Sequence, residues 1–164
     1  LAAEEMVKSQ KGGRENTAML KRECPCCHEK VPADSFRKKK RMCVWCEWGN
    51  PEKRAKARYS DIRKRAGHKL EIGRRAFVEW YKEQEDRCAY CGLSIAEVKS
   101  LRIKHGRGYF VSWDIDRLDP SRPYEPDNLA LACFVCNMAK GDLLSPAEAR
   151  TIGRAVRQVW KGRL

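Results

Sequence analysis

A chain of 164 residues makes one compact domain or two very small ones. Its 35 Lys and Arg against 22 Asp and Glu, a net charge of +13 with a pI near 9.5, point to a polyanionic partner, nucleic acid first. No secretory apolar segment and no apolar run of membrane-spanning length occurs, which argues against export and a membrane partner and favours a cytoplasmic protein.

Nine cysteines could mean disulfides, but eight of them form four Cys-x-x-Cys pairs: Cys24/Cys27, Cys43/Cys46, Cys88/Cys91 and Cys133/Cys136. That is zinc-ligand spacing in a reducing compartment. Cys26 is left over and reads as an inert thiol.

Residues 1–22 are polar and charged, with Gly12-Gly13 in the middle, and predict a loosely packed N-terminal extension. The first lobe, residues 23–66, opens with two knuckles separated by 15 residues, Cys24/Cys27 and Cys43/Cys46. Four thiolates on one zinc can fold about thirty residues that have almost no core of their own, and His28 is then not needed as a ligand. Between the knuckles runs a basic ribbon, Arg37-Lys38-Lys39-Lys40-Arg41, placed to sit on phosphates. A helix follows over 52–66, with Pro51 at its start and Gly67 at its stop. Seven basic residues crowd it: Lys53, Arg54, Lys56, Arg58, Arg63, Lys64 and Arg65. With few apolar residues it reads as a helix lying along a nucleic-acid backbone or in a groove.

The second lobe, residues 67–164, begins with His68 at the helix end. Phe77, Trp80 and Tyr81 make the core-facing stripe of a helix over 74–86. The third knuckle, Cys88-Ala89-Tyr90-Cys91, is followed by a capping box, Ser94 with Glu97, for a short helix to about Leu101. Lys104 to Gly108 is a basic glycine turn, and Tyr109 to Asp116 reads as one strand rich in aromatic and β-branched residues. Ser145 with Glu148 caps a last amphipathic helix bearing Ile152, Val156, Val159 and Trp160, which would pack on the core or on a second subunit.

The stretch Trp113 to Gly141 organises the rest. A strand delivers Asp116-Arg117, a loop rich in proline and aspartate follows, then an alternating run over 128–132, then Cys133-x-x-Cys136-Asn137 opening a helix. Strand, loop, strand and helix would set Asp116 and Asn137 facing each other across a small cleft. Two oxygen ligands so placed suit a hard cation such as Mg2+, which keeps waters and binds phosphate. A second four-thiolate zinc, on Cys88, Cys91, Cys133 and Cys136, would staple the base of this hairpin to its helix.

This strand–strand–helix unit resembles the ββα-metal motif of the HNH nuclease family. The resemblance implies an α+β fold of small zinc-stapled lobes, two four-cysteine zinc sites and flanking helices. The family's usual Asp-His is Asp116-Arg117 here, and an arginine cannot act as general base. Either the site is silent, or Arg117 stabilises charge on the phosphate while another residue is base or nucleophile, or the chain belongs to a branch built that way. The last reading gains from a wider likeness to a restriction-endonuclease branch, running from about Cys24 to Arg163. It includes Gly67-His68, Phe77-x-x-Trp80-Tyr81, Arg87-Cys88-x-Tyr90-Cys91-Gly92, Asp116-Arg117, Asp127-Asn128 and Leu131-Ala132-Cys133-Phe134-x-Cys136-Asn137.

By that resemblance Asp116 and Asn137 would hold the catalytic Mg2+ and Arg117 would contact the scissile phosphate. Tyr90 would be nucleophile or proton acceptor, His68 the alternative base that positions water, and Asn128 a brace for the loop. The implied activity is metal-dependent hydrolysis of double-stranded DNA by a homodimer at a palindrome, in a prokaryotic or phage setting. The alternatives are the cutting domain of a modification-dependent or nicking nuclease, and a catalytically silent zinc-ribbon DNA-binding module.

Overall fold

The structure, a computed structural model, describes residues 20–106 and 108–164, apart from the side chains of His68 and His105. The chain forms two compact units that part between Cys46 and Glu47. Nearly all of the predicted N-terminal extension lies outside the described residues, but its last two residues, Lys21 and Arg22, belong to a strand.

In the first unit, β1 (Lys21–Glu23) pairs antiparallel with β2 (Lys30–Pro32), and the first knuckle is the turn between them. The knuckle closes tightly: His28 N–H donates to Cys24 O at 2.8 Å, and His28 itself takes a positive φ of 58°. The second knuckle sits on a one-turn helix, α1 (Val44–Glu47). Cys24, Cys27, Cys43 and Cys46 bring their sulfurs within 4.8 Å of one another, with 3.8 Å from Cys24 to Cys46 and 3.5 Å from Cys43 to Cys46. A Zn–S bond of about 2.3 Å gives a tetrahedron with edges of about 3.8 Å, so these thiols fit zinc. His28 stays out of the cluster, exposed beside Glu23, and Cys26 is also exposed. The basic ribbon 37–41 is exposed throughout.

The second unit starts with the basic helix, α2 (Pro51–Ala66), capped by Asn50, whose Oδ1 accepts Lys53 N–H at 3.1 Å. It packs along α3 (Arg74–Glu83) through Ala55, Tyr59, Ile62 and Ala66, a stripe at helical spacing that the seven cations obscure in the sequence. Tyr59 meets Phe77 in a tilted ring contact, centroids 5.6 Å apart. So α2 has a core face of its own and belongs with the second unit, not with the zinc module before it.

The predicted helix over 74–86 stops at Glu83 because Asp86 is drawn into a half-buried junction. Its two oxygens accept from Arg54 Nη2 and from Trp113 Nε1, each at 2.6 Å. That junction ties α2, the end of α3 and the approach to the central hairpin together. The single strand expected over 109–116 is also broken. β3 (Lys104–His105) and β4 (Gly108–Tyr109) make one small hairpin, and β5 (Asp114–Arg117) starts afresh. Phe110 and Trp113 both enter the core and meet edge-on at 5.6 Å. Residues three apart point to opposite faces of a strand, so a bend is needed to bury both.

β5 pairs antiparallel with β6 (Leu129–Ala132), with Asp116 opposite Ala130, and all four residues of β6 are buried. α5 (Phe134–Lys140) leaves directly from β6, and α6 (Pro146–Lys161) packs on α5 behind the capping box of Ser145 and Glu148. A third short helix, α4 (Ile95–Ser100), carries the Ser94–Glu97 box. Cys88, Cys91, Cys133 and Cys136 form the second cluster, all four buried, with Cys91 and Cys133 sulfurs 3.9 Å apart. Among the described residues, no helix is long and apolar enough to cross a membrane.

Helix α6 comes against the third knuckle at Gly153, where an added Cβ would lie 2.5 Å from Tyr90 O and 3.0 Å from Cys91 N. Gly153→Ala therefore destabilises the chain by about 1–3 kcal/mol, read as a lower thermal midpoint, against the roughly 1 kcal/mol gain that helix propensity alone predicts. The two four-cysteine clusters predict two zinc ions per chain by metal analysis, with one lost in Cys43→Ser and one in Cys133→Ser.

Candidate active site

The site grows from the third knuckle. Tyr90 lies between two zinc-ligand positions, and its loop is fastened on every side. Ala89 N–H donates to Leu131 O of β6 at 2.8 Å, Arg157 Nη1 of α6 donates to Cys91 O at 3.0 Å, and Gly153 closes from behind. So held, the Tyr90 hydroxyl donates to Asp116 Oδ2. Both side chains are buried, Tyr90 at 5% and Asp116 at 7% exposure.

Asp116 has a second partner that the sequence does not single out. Lys140, the last residue of α5, is 1% exposed and lies 3.4 Å from Asp116 Oδ1 and 3.3 Å from Oδ2. Burial pushes the Asp116 carboxyl above its ordinary range, and the Tyr90 and Lys140 contacts oppose that rise. Burial first, and then the bond to the Asp116 carboxylate, hold the Tyr90 phenol well above the usual tyrosine range.

One helical turn before Lys140, Asn137 Nδ2 donates to Asp114 Oδ2 at 3.4 Å. Asp114 and Asp116 are two apart on β5 and share a face. Two carboxylates thus line the seam between β5 and α5, Asp114 beside the Asn137 amide and Asp116 beside Lys140; carboxylate and amide oxygens are the donor type that suits Mg2+. Sequence reasoning missed Asp114 as the partner of Asn137; its spacing from Asp116 on the strand was the available signal.

Arg117 stacks over the Tyr124 ring at 5.2 Å and contacts Asp142 at 3.5 Å. Tyr124 in turn binds the segment around His68: its N–H donates to Lys69 O at 2.7 Å, and its carbonyl accepts Glu71 N–H at 3.0 Å. The backbone of His68, in the turn Gly67–Lys69, is thereby tied through Tyr124 to Arg117, while its side chain lies outside the described residues. Asn128 is fully buried; its amide accepts from Asp119 N and donates to Asp119 O and Pro123 O at 2.8–3.0 Å, holding the loop between β5 and β6 closed.

The predicted DNA-contact residues divide. Arg54 is 4% exposed and turned inward to Asp86, with no face left for a phosphate. Arg58 reaches Asp114 at 3.3 Å and Ser112 O at 3.1 Å, fastening α2 to the start of β5. Lys53 and Lys56 are exposed but paired with Glu47 and Glu52. Arg63, Lys64 and Arg65 project from the C-terminal end of α2. With Tyr59, Ser60 and Arg74, the first two line an open cleft of about 480 Å³ that contains no acidic lining residue.

Comparison with known proteins supplies one anchor. No protein-family model matches the chain, and no curated protein sequence does. The solved structure of the rare-cutting HNH restriction endonuclease PacI is similar, with 31% identity, a TM-score of 0.57, and coverage of 86% of this chain and 96% of that one. With that identity over that much of both molecules, and with a ββα unit carrying Asp116 and Asn137 and two four-cysteine clusters in the chain, the chain belongs to the HNH endonuclease family.

Proposed function

We propose that the chain is a divalent-metal-dependent deoxyribonuclease that cuts double-stranded DNA at a specific palindrome, in the manner of a type II restriction enzyme. The observation that carries this reading is the buried Tyr90–Asp116 pair, set on a zinc-clamped knuckle beside the ββα seam. A tyrosine that only covered a zinc knuckle would not need a carboxylate partner inside the motif.

Asp116 and Asn137 would hold Mg2+, which when bound neutralises charge on the scissile phosphate and on the leaving oxygen. Arg117 presents its guanidinium to a non-bridging phosphate oxygen, a charge-stabilising role that suits a residue always protonated. Tyr90 Oη would first pass to solvent the proton it now shares with Asp116. The phenolate would then attack phosphorus, breaking the bond to the leaving DNA oxygen, which takes a proton from solvent, with water afterwards hydrolysing the phosphotyrosine. Alternatively, it would accept a proton from a water that attacks phosphorus as the same DNA oxygen leaves. His68 would position water or serve as the alternative base.

Contacts to the DNA backbone fall to the exposed cations. These are the ribbon Arg37 to Arg41 in the first unit and, in the second, Arg63, Lys64 and Arg65 together with Arg74. Cutting both strands of a palindrome with one site per chain requires a homodimer. The exposed Ile152 and Val159 on α6 are the candidate face for the second copy.

Incubating the protein with long double-stranded DNA in Mg2+, with and without EDTA, tests the reading. Discrete metal-dependent fragments, lost in Asn137→Ala, are the expected result. Nicking or smearing instead indicates a cutting domain that needs a targeting partner, and binding without any cleavage indicates a silent module. Tyr90→Phe lowers the single-turnover rate by about a thousandfold while leaving DNA affinity intact; His68→Ala lowers it less. Because burial and Asp116 hold the phenol high, the wild-type rate climbs with pH by about tenfold per unit through neutrality, and Tyr90→Phe abolishes that slope. Arg63→Ala with Arg74→Ala makes the dependence of log affinity on log salt shallower by about one for each phosphate no longer neutralised, without changing which sequence is cut.

A further inference from the structure

Lys140 is the most buried charged side chain at the site, and the reaction as written does not use it. Burying an ammonium is unfavourable unless its protons are all taken. Here they are taken, by the Asp116 carboxylate, by Arg117 O at 2.8 Å and by Gly141 O at 3.4 Å. A residue needed only to fill space at the end of α5 would be a Met or a Leu.

What these partners have in common is the catalytic dipeptide. One ammonium grips the side chain of Asp116 and the main chain of Arg117, and fastens both to the end of the helix that carries Asn137. With the Asn137–Asp114 bond one turn earlier, it makes two rungs between α5 and β5. The only other side chain on Asp116 among the described residues is Tyr90. That partner must let go when its oxygen gives up a proton.

We propose that Lys140 is the positioning residue of this site: it holds Asp116 aimed at the metal seat, and Arg117 in register beside it, while Tyr90 changes partner. This rests on Asp116 and Asn137 being the metal-binding pair. Lys140 touches neither DNA nor the reacting atoms in this scheme and acts through Asp116.

Lys140→Met and Lys140→Arg in the full chain test it, with zinc content, thermal midpoint and DNA affinity as controls. Mn2+ affinity by calorimetry and the single-turnover cleavage rate at saturating Mn2+ are the readouts. Lys140→Met keeps two zinc ions and normal DNA affinity, loses about tenfold in Mn2+ affinity and about a hundredfold in rate; Lys140→Arg, which keeps the charge but not the fit, falls between. Wild-type Mn2+ affinity and rate in the Met variant overturn the proposal, as do losses that merely follow the thermal midpoint. If the Met variant does not fold, the Arg variant decides: normal melting with weakened Mn2+ binding supports positioning, and unchanged Mn2+ binding overturns it. A wild-type protein that neither binds Mn2+ outside its zinc sites nor cleaves DNA refutes the underlying nuclease reading, and is told apart by needing no variant.

Discussion

Four thiolates at Cys88, Cys91, Cys133 and Cys136 are the constraint on which the second unit depends. Their knuckles are 41 residues apart in sequence, and between them lie α4, the bend at Phe110–Trp113, and both strands of the hairpin. Joining them brings Tyr90, from inside one knuckle, to within bonding reach of Asp116 on β5. It also starts α5, because Cys133 caps that helix through Cys136 N–H and Asn137 follows the last ligand. The candidate nucleophile and the candidate metal ligand on the helix are each adjacent in sequence to a zinc ligand. Zinc bound in these clusters would give a small chain with a modest core the rigidity that a reactive constellation requires.

Inside that frame the electrostatics are arranged against the chain's own surface. The chain as a whole is strongly cationic, as a phosphate backbone demands, whereas the β5–α5 seam collects the carboxylates of Asp114 and Asp116. Lys140 and Arg58 are drawn inward to balance Asp116 and Asp114. Basic residues here therefore do two jobs that charge counting cannot separate. Some face the ligand, and others are internal counter-ions that keep an acidic site assembled within a basic protein.

This separation explains where the sequence was readable. Cysteine spacing announced both four-cysteine clusters, because ligand geometry leaves little freedom between Cys-x-x-Cys pairs. The capping boxes at Ser94 and Ser145 are local hydrogen bonds written in four residues, and both helices start there. Asp116, Asn137 and Tyr90 are singled out by the family resemblance, and the hydrogen bond of Tyr90 to Asp116 joins two of them. The inward turn of Arg54 was not legible, since its partner Asp86 lies 32 residues away and nothing local distinguishes it from Arg63. Lys140 and Gly153 were invisible for the same reason: each matters through a packing neighbour brought by the fold, Asp116 in one case and the Tyr90 backbone in the other. The strand over 109–116 failed because two aromatics three apart both sought the core, and tertiary burial overrode β propensity.

Anomalous diffraction from crystals of the protein with a DNA duplex and Mn2+ would test the central claim most directly. The account predicts zinc peaks within the two cysteine clusters and a manganese peak between Asp116 and Asn137, with Tyr90 Oη turned toward a phosphate. Zinc peaks alone, or manganese at some other group of oxygens, would contradict it.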